Sequence, residues 1–118
     1  MTLQQYRTDR SARRNVERIA ESVATAVMDM AKTLVAASAG PVPQSYADAL
    51  RAVGDLRIIP GELAERLAAL AALRSALAHE YLDLKWPSIQ RFIQTQHKDI
   101  LEFVARVEGL LVPPDPAQ

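Results

Sequence analysis

The run from Leu63 to Ala78 constrains the fold more than any other part of the chain, because most of its residues are leucine or alanine. At 3.6 residues per turn, the leucines form one stripe of a helix and alanines line its other side. A helix that is apolar on nearly all sides is normally central, so we expect one from about Gly61 to Glu80, with a second protomer covering part of it. The leucines are Leu63, Leu67, Leu70, Leu73 and Leu77, and the alanines are Ala68, Ala72 and Ala76.

The N-terminal third of the chain has the same helical period. Apolar side chains recur at steps of three and four from about Arg10 to Ala39, and the run Gly40 to Pro43 ends that helix. The expected packed stripe is Val16, Ile19, Ala20, Val23, Val27, Met30 and Leu34. On the opposite side lie Arg7, Arg10, Arg14 and Arg18. They form either a ridge that binds RNA phosphates or a solvated face that pairs with Glu17 and Glu21, and we favour the solvated face.

Two more helices are expected in the remaining segments. Ser45 is expected to cap a short helix that Gly54 and Asp55 break, and Leu56–Ile59 is expected to be a packed connector. Trp86-Pro87 is expected to open the last helix. The predicted fold is therefore all-α, an up-and-down bundle of four to five helices in one domain, residues 1–111, with a flexible tail at 112–118. The last helix is expected to pack through Ile89, Phe92, Ile93, Ile100, Phe103, Val104, Val107 and Leu110.

Composition excludes several classes of function. The 14 basic and 14 acidic side chains balance, which argues against a histone-like binder of polyanions. There is no cysteine, and two histidines are too few for an all-histidine zinc site, so we expect neither metal nor cofactor. The N-terminus lacks the layout of a signal peptide, and no apolar run approaches the roughly 20 residues that span a bilayer. We expect a soluble, cytoplasmic protein without a membrane partner.

Three reactive side chains stand at the end of the central helix: Arg74, His79 and Tyr81. Histidine can move a proton near neutral pH, and arginine can grip two phosphate oxygens. The pair suits RNA cleavage in which the 2′-hydroxyl attacks the neighbouring phosphate. At about 100° per residue, however, His79 points about 140° away from Arg74. Either the helix loosens near Ala78, a second subunit completes the site, or the three residues are merely structural.

The order Arg74, four residues, His79, one residue, Tyr81 resembles the R-x4-H-x-Y motif of HEPN domains. More narrowly, the chain is similar to the HepT toxins over most of its length. The similarity includes the segments Asp9 to Arg18, Val42 to Tyr46 and Ile59 to Arg66, the motif itself, and the final helix.

The resemblance implies a helical, metal-independent endoribonuclease, the toxin of a toxin–antitoxin system, that forms a homodimer with the motif in its cleft. RNA, such as tRNA or mRNA, would be the substrate. The partner would be a nucleotidyltransferase antitoxin, MntA, which transfers AMP from ATP to the motif tyrosine. Carried over, Arg74 and His79 are catalytic and Tyr81 is modified, while Ser75 and Glu80 support the site. The added negative charge would repel RNA phosphate.

Ser75 departs from the family pattern, which usually has asparagine after the motif arginine; serine keeps a hydrogen-bonding group with a shorter reach. Two alternatives to a toxin remain open. One is a non-catalytic helical module that binds a nucleotidyltransferase or a nucleotide through the same cleft. The other is a purely structural dimerisation module.

Overall fold

The computed structural model describes residues 1–38 and 40–111, so the predicted tail at 112–118 lies outside the described residues. Within them the chain is helical, with no β-strand, and this confirms the all-α prediction. Seven α-helices and one π-helical segment, Phe92–Gln96, group into five rods, because α4 and α5 follow each other directly and the π-helical segment joins α6 to α7. The helices are α1 Leu3–Thr8, α2 Arg10–Ala37, α3 Tyr46–Asp55, α4 Gly61–Ala68, α5 Leu70–Leu77, α6 Leu82–Arg91 and α7 His97–Leu111.

Side-chain caps set the starts of the first three helices. A capping box opens α1, with the Thr2 hydroxyl accepting from the Gln5 amide and the Gln5 side chain accepting from the Thr2 amide. Asp9 caps α2 and so separates the two helices, and Ser45 caps α3 as predicted. Arg7 therefore belongs to α1 and not to a continuous arginine ridge along α2.

Helix α3 continues through Gly54 and Asp55, so the prediction that these residues break it is wrong. The helix ends in a Schellman motif, in which the Arg57 amide donates to the Gly54 carbonyl and the Ile58 amide donates to the Val53 carbonyl. Arg57 takes the left-handed conformation, with φ of 62°, that glycine usually supplies. Ile59 is buried, which agrees with the prediction of a packed connector.

The central helix is shorter than predicted and is interrupted. It begins at Gly61 after Pro60, but a turn at Ala69 divides it into α4 and α5, and it ends at Leu77 instead of Glu80. The Ala72 amide donates to the Ala69 carbonyl, the tighter pattern of a 3₁₀ turn. The leucines are buried as expected up to Leu73, while Ala72 is exposed on the other side.

The last rod starts earlier than predicted. Helix α6 begins at Leu82, so Trp86-Pro87 does not open it, and Pro87 is its sixth residue. Proline has no amide hydrogen, so the Asp83 carbonyl receives no helical bond from position 87. The π-helical segment follows α6 directly, and α7 carries on to Leu111.

One hydrophobic core joins these helices. Helix α2 packs against α3 and α5, α3 against α4, and α7 against α4, while α1 lies on α2 and α6. Two predicted core residues are wrong: Ile19 is 56 % exposed and Leu110 is 57 % exposed. The buried side of α2 differs from the predicted stripe and contains more alanine. It consists of Ala20, Ala24, Val27, Met28, Ala31 and Val35.

Candidate functional site

Arg74 lies in the last turn of α5, where it is half-buried and lines a cavity of about 350 Å³ that opens to solvent. Its guanidinium carbon lies 5.2 Å from the centre of the Tyr46 ring, within the range of a cation–π contact. Ser75 lines the same cavity, and its hydroxyl donates to the Ala71 carbonyl. The cavity lining is Met28, Ser45, Tyr46, Ala47, Ala71, Arg74 and Ser75.

Lys32 of α2 reaches the same aromatic ring. Its Nζ lies 5.0 Å from the Tyr46 ring centre. Within residues 1–38 and 40–111, no carboxylate lies within 4.0 Å of Lys32 or Arg74. Two positive charges without a neighbouring negative charge favour an anion at this end of the bundle.

His79, Glu80 and Tyr81 lie in the exposed connection between α5 and α6. The Ala78 amide donates to the Ser75 carbonyl and the His79 amide to the Ala76 carbonyl, so a tight turn ends the helix. Tyr81 is 74 % exposed, so a structural role as a core residue does not apply to it. Because the helix has ended, the angle between Arg74 and His79 on an ideal helix no longer applies.

The structure brings Arg74 and Ser75 into one cavity but does not join them to the other motif residues. Among the described residues, no hydrogen bond or ion pair links Arg74, His79, Glu80 or Tyr81 to one another. His79 and Tyr81 are also absent from the lining of the cavity beside Arg74.

A polar network connects α6, the helix that follows the Arg74–Tyr81 motif, to α1 and α2. The Tyr6 hydroxyl donates to the Glu17 carboxylate, which also pairs with Lys85 of α6 at 3.3 Å. The Tyr6 ring packs on Trp86 with 5.2 Å between ring centres. Burial, and then the Glu17 carboxylate, raise the pKa of Tyr6 well above its usual value.

An ion pair extends this network to within two residues of the motif. Arg7 donates to one Asp83 carboxylate oxygen from Nε at 3.2 Å and from Nη2 at 2.5 Å. Both side chains are largely exposed, so the pair adds orientation more than free energy. Helix α1 thereby holds the beginning of α6, and with it the chain that follows Tyr81.

The described residues contain no group of three or more histidine, aspartate or glutamate side chains placed to hold a metal ion. None of the described helices has the length and apolar character needed to cross a membrane.

Sequence reasoning missed Lys32 and Tyr46 as candidate site residues. They are 14 positions apart and separated by the end of α2, so only the packing of α3 on α2 brings them together. The signal available was indirect: Tyr46 closes the Val42 to Tyr46 segment that carries part of the family resemblance.

A bundle of helices with an arginine-lined cavity at the end of its central rod is consistent with the HEPN class of all-α domains. The family model of HepT-like ribonucleases matches residues 1–107. The chain therefore belongs to the HepT-like ribonuclease family, and membership implies a ribonuclease. No curated protein and no solved structure matches the chain.

Proposed function

We propose that this protein is a metal-independent endoribonuclease, the toxin of a toxin–antitoxin system, with Arg74 and His79 as its catalytic residues. The observation that carries the proposal is the position of Arg74, whose guanidinium lines an open cavity without a carboxylate partner among the described residues. The end of α5 at Leu77 supports it, since His79 is then not fixed on the far side of a helix from Arg74.

The reaction needs a proton moved and a charge stabilised. His79 accepts the proton of the 2′-hydroxyl, and the 2′-oxygen forms a bond to the adjacent phosphorus. The bond from phosphorus to the 5′-oxygen breaks, and the proton passes from His79 to that leaving oxygen. The products are a 2′,3′-cyclic phosphate and a 5′-hydroxyl end. Arg74 donates hydrogen bonds to the phosphate oxygens as negative charge builds on them.

Tyr81 serves as the switch in this proposal. Its exposed phenol can reach the active site of a separate enzyme, as adenylylation by a nucleotidyltransferase antitoxin requires. The phenolic oxygen attacks the α-phosphorus of ATP and pyrophosphate leaves. The AMP group adds negative charge two residues from His79, where it repels RNA phosphate and blocks access.

A homodimer completes the proposal. Ala72 is exposed on α5, so part of this apolar helix is not covered by the rest of the chain. A second copy packed on that surface would place the Arg74–Tyr81 segments of the two protomers near one cleft. Light scattering at micromolar concentration is expected to give twice the mass of the chain. A monomer would remove the shared cleft from the mechanism.

RNA cleavage in EDTA tests the nuclease. Purified protein is incubated with RNA alongside His79→Ala and Arg74→Ala. Arg91→Ala, at an exposed position of α6 outside the motif, is the control for loss of a basic side chain. We expect activity to fall at least about a hundredfold in His79→Ala and in Arg74→Ala, the usual contribution of a general acid–base and of a group that stabilises transition-state charge. Cleavage that persists in His79→Ala, or is absent from the wild type, would leave the non-catalytic binding module as the function.

Intact-mass measurement tests the switch. After incubation with ATP and the nucleotidyltransferase antitoxin, the wild type is expected to gain adenylyl mass and Tyr81→Phe to gain none. Tyr46→Phe controls for loss of a different tyrosine. Unchanged toxicity and unchanged antitoxin binding in both Arg74→Ala and Tyr81→Phe would instead favour a structural dimerisation module.

A further inference from the structure

The Tyr46 ring contacts two cationic side chains from different helices. Lys32 comes from α2 and Arg74 from α5, and each lies about 5 Å from the ring centre. Tyr46 is the first residue of α3 and is half-buried, so its ring is fixed relative to both helices. The distances fall within the roughly 6 Å at which a cation is attracted to an aromatic face.

These two cations differ from most of the basic side chains that pack between helices. Arg51, Arg66 and Lys85 each pair with a carboxylate of another helix, whereas Lys32 and Arg74 have none within 4.0 Å among the described residues. The two charges repel each other where they share one ring, and a bound anion would relieve that repulsion.

The surroundings suit a chain of phosphates. The cavity beside Arg74 holds about 350 Å³ and is lined by Ser45, whose hydroxyl oxygen accepts from the Asp48 amide and leaves its own proton to donate. Lys32 borders a second cavity of about 320 Å³. Each of the two cations therefore borders space for one phosphate of a strand.

We infer that Lys32, Tyr46 and Arg74 form a two-phosphate subsite for single-stranded RNA. Arg74 grips the scissile phosphate, Lys32 binds the neighbouring phosphate, and Tyr46 is a positioning residue that orients both cations. The inference rests on the proposed function, because it takes the scissile phosphate to be the anion at Arg74.

Salt-dependent binding of a labelled single-stranded RNA tests the role of Lys32. All proteins carry His79→Ala so that the RNA stays intact. Each phosphate contact contributes roughly 0.7 to the slope of log affinity against log salt, so Lys32→Gln is expected to lower the slope by about that amount. Lys98→Gln removes the same charge from an exposed position on α7 and is expected to leave the slope unchanged.

Two substitutions of Tyr46 test the aromatic ring. Tyr46→Phe keeps the ring and is expected to bind RNA like its parent. Tyr46→Leu removes the ring and is expected to raise the Kd about five- to thirtyfold, the loss anticipated from two cation–π contacts. Equal affinities for the two variants would overturn the positioning role of Tyr46.

The outcomes separate this inference from the nuclease proposal. If the wild type cleaves RNA and Lys32→Gln has the slope of Lys98→Gln, the subsite fails and the nuclease stands. If the wild type does not cleave but the slope depends on Lys32, the nuclease fails and the binding subsite stands. Absence of RNA binding overturns the subsite. So does a Lys32→Gln variant that slows adenylylation of Tyr81 by the antitoxin but binds RNA normally, because the anion would then be the nucleotide phosphate.

Discussion

Substitution of Tyr6 by phenylalanine tests whether the network around Glu17 stabilises the attachment of α1 and α6. The change removes one hydroxyl and leaves the ring packed on Trp86. The hydroxyl donates to the Glu17 carboxylate from a residue that is fully buried. A hydrogen bond to a charged group contributes about 1.5–3 kcal/mol. Glu17 keeps its pair with Lys85 in the variant, so we expect the lower end, about 1.5 kcal/mol.

The pH dependence gives this prediction a second readout. The pKa of Tyr6 is raised in the folded protein, while in the unfolded chain it is about 10. Below about pH 10 the phenol is protonated in both states, so the hydrogen bond contributes fully. Above about pH 10 the unfolded chain loses its proton first, and the free energy of unfolding falls by up to about 1.4 kcal/mol per pH unit. Tyr6→Phe lacks this loss, so the difference between the two proteins should shrink as pH rises through the folded pKa.

Urea unfolding followed by circular dichroism measures both effects, at about pH 7 and at about pH 11. Tyr81→Phe is the matched control, since it removes a hydroxyl from an exposed ring and is expected to change stability by less than about 0.5 kcal/mol. The reasoning is refuted if the two variants lose equal stability at pH 7. It is also refuted if the difference between wild type and Tyr6→Phe is the same at both pH values.

Two further predictions concern the backbone. Gly54→Ala is expected to destabilise the protein by about 1–2 kcal/mol, because the new Cβ would lie 2.6 Å from the Ala64 Cβ and this overlap outweighs the gain in helix propensity. The control is Gly109→Ala, whose Cβ would meet nothing within 4 Å and which is expected to stabilise the protein by up to about 1 kcal/mol. Thermal unfolding that ranks the two variants the other way would contradict the close packing of α3 on α4. Arg57→Gly is expected to stabilise the protein by about 0.5–1 kcal/mol in the same assay, because glycine adopts φ of 62° without a Cβ clash. A loss of stability would mean that the contacts of the Arg57 side chain contribute more than the backbone strain costs.

The periodicity of apolar residues predicted the helices well and their buried faces less well. The core leucines of α4 and α5 are buried as expected, because large side chains dominate the pattern there. In α2 half of the buried residues are alanines, Ala20, Ala24 and Ala31, and Ile19 is left exposed. Alanine is buried wherever a neighbouring helix approaches closely, and that depends on packing partners that a single helix pattern does not contain.

Helix ends were predicted where a local side chain determines them. Ser45 caps α3 through its own hydroxyl, and the sequence contains that information. The start of α6 was misplaced, because the prediction gave Pro87 its preferred place in a first turn. The actual start at Leu82 coincides with the ion pair between Arg7 and Asp83, a contact across 76 positions that no local pattern reveals.

Part of the candidate site can likewise be predicted from local sequence, and part of it depends on tertiary packing. Arg74, His79 and Tyr81 are close in sequence. Their spacing left open whether the helix loosens near Ala78, a second subunit completes the site, or the residues are structural; the helix does end at Leu77. What surrounds Arg74 comes instead from distant segments, with Tyr46 placed by the start of α3 and Lys32 by the last turns of α2. A local sequence motif can therefore identify the proposed catalytic groups, whereas the residues proposed to orient them and to bind the anion depend on how three helices pack.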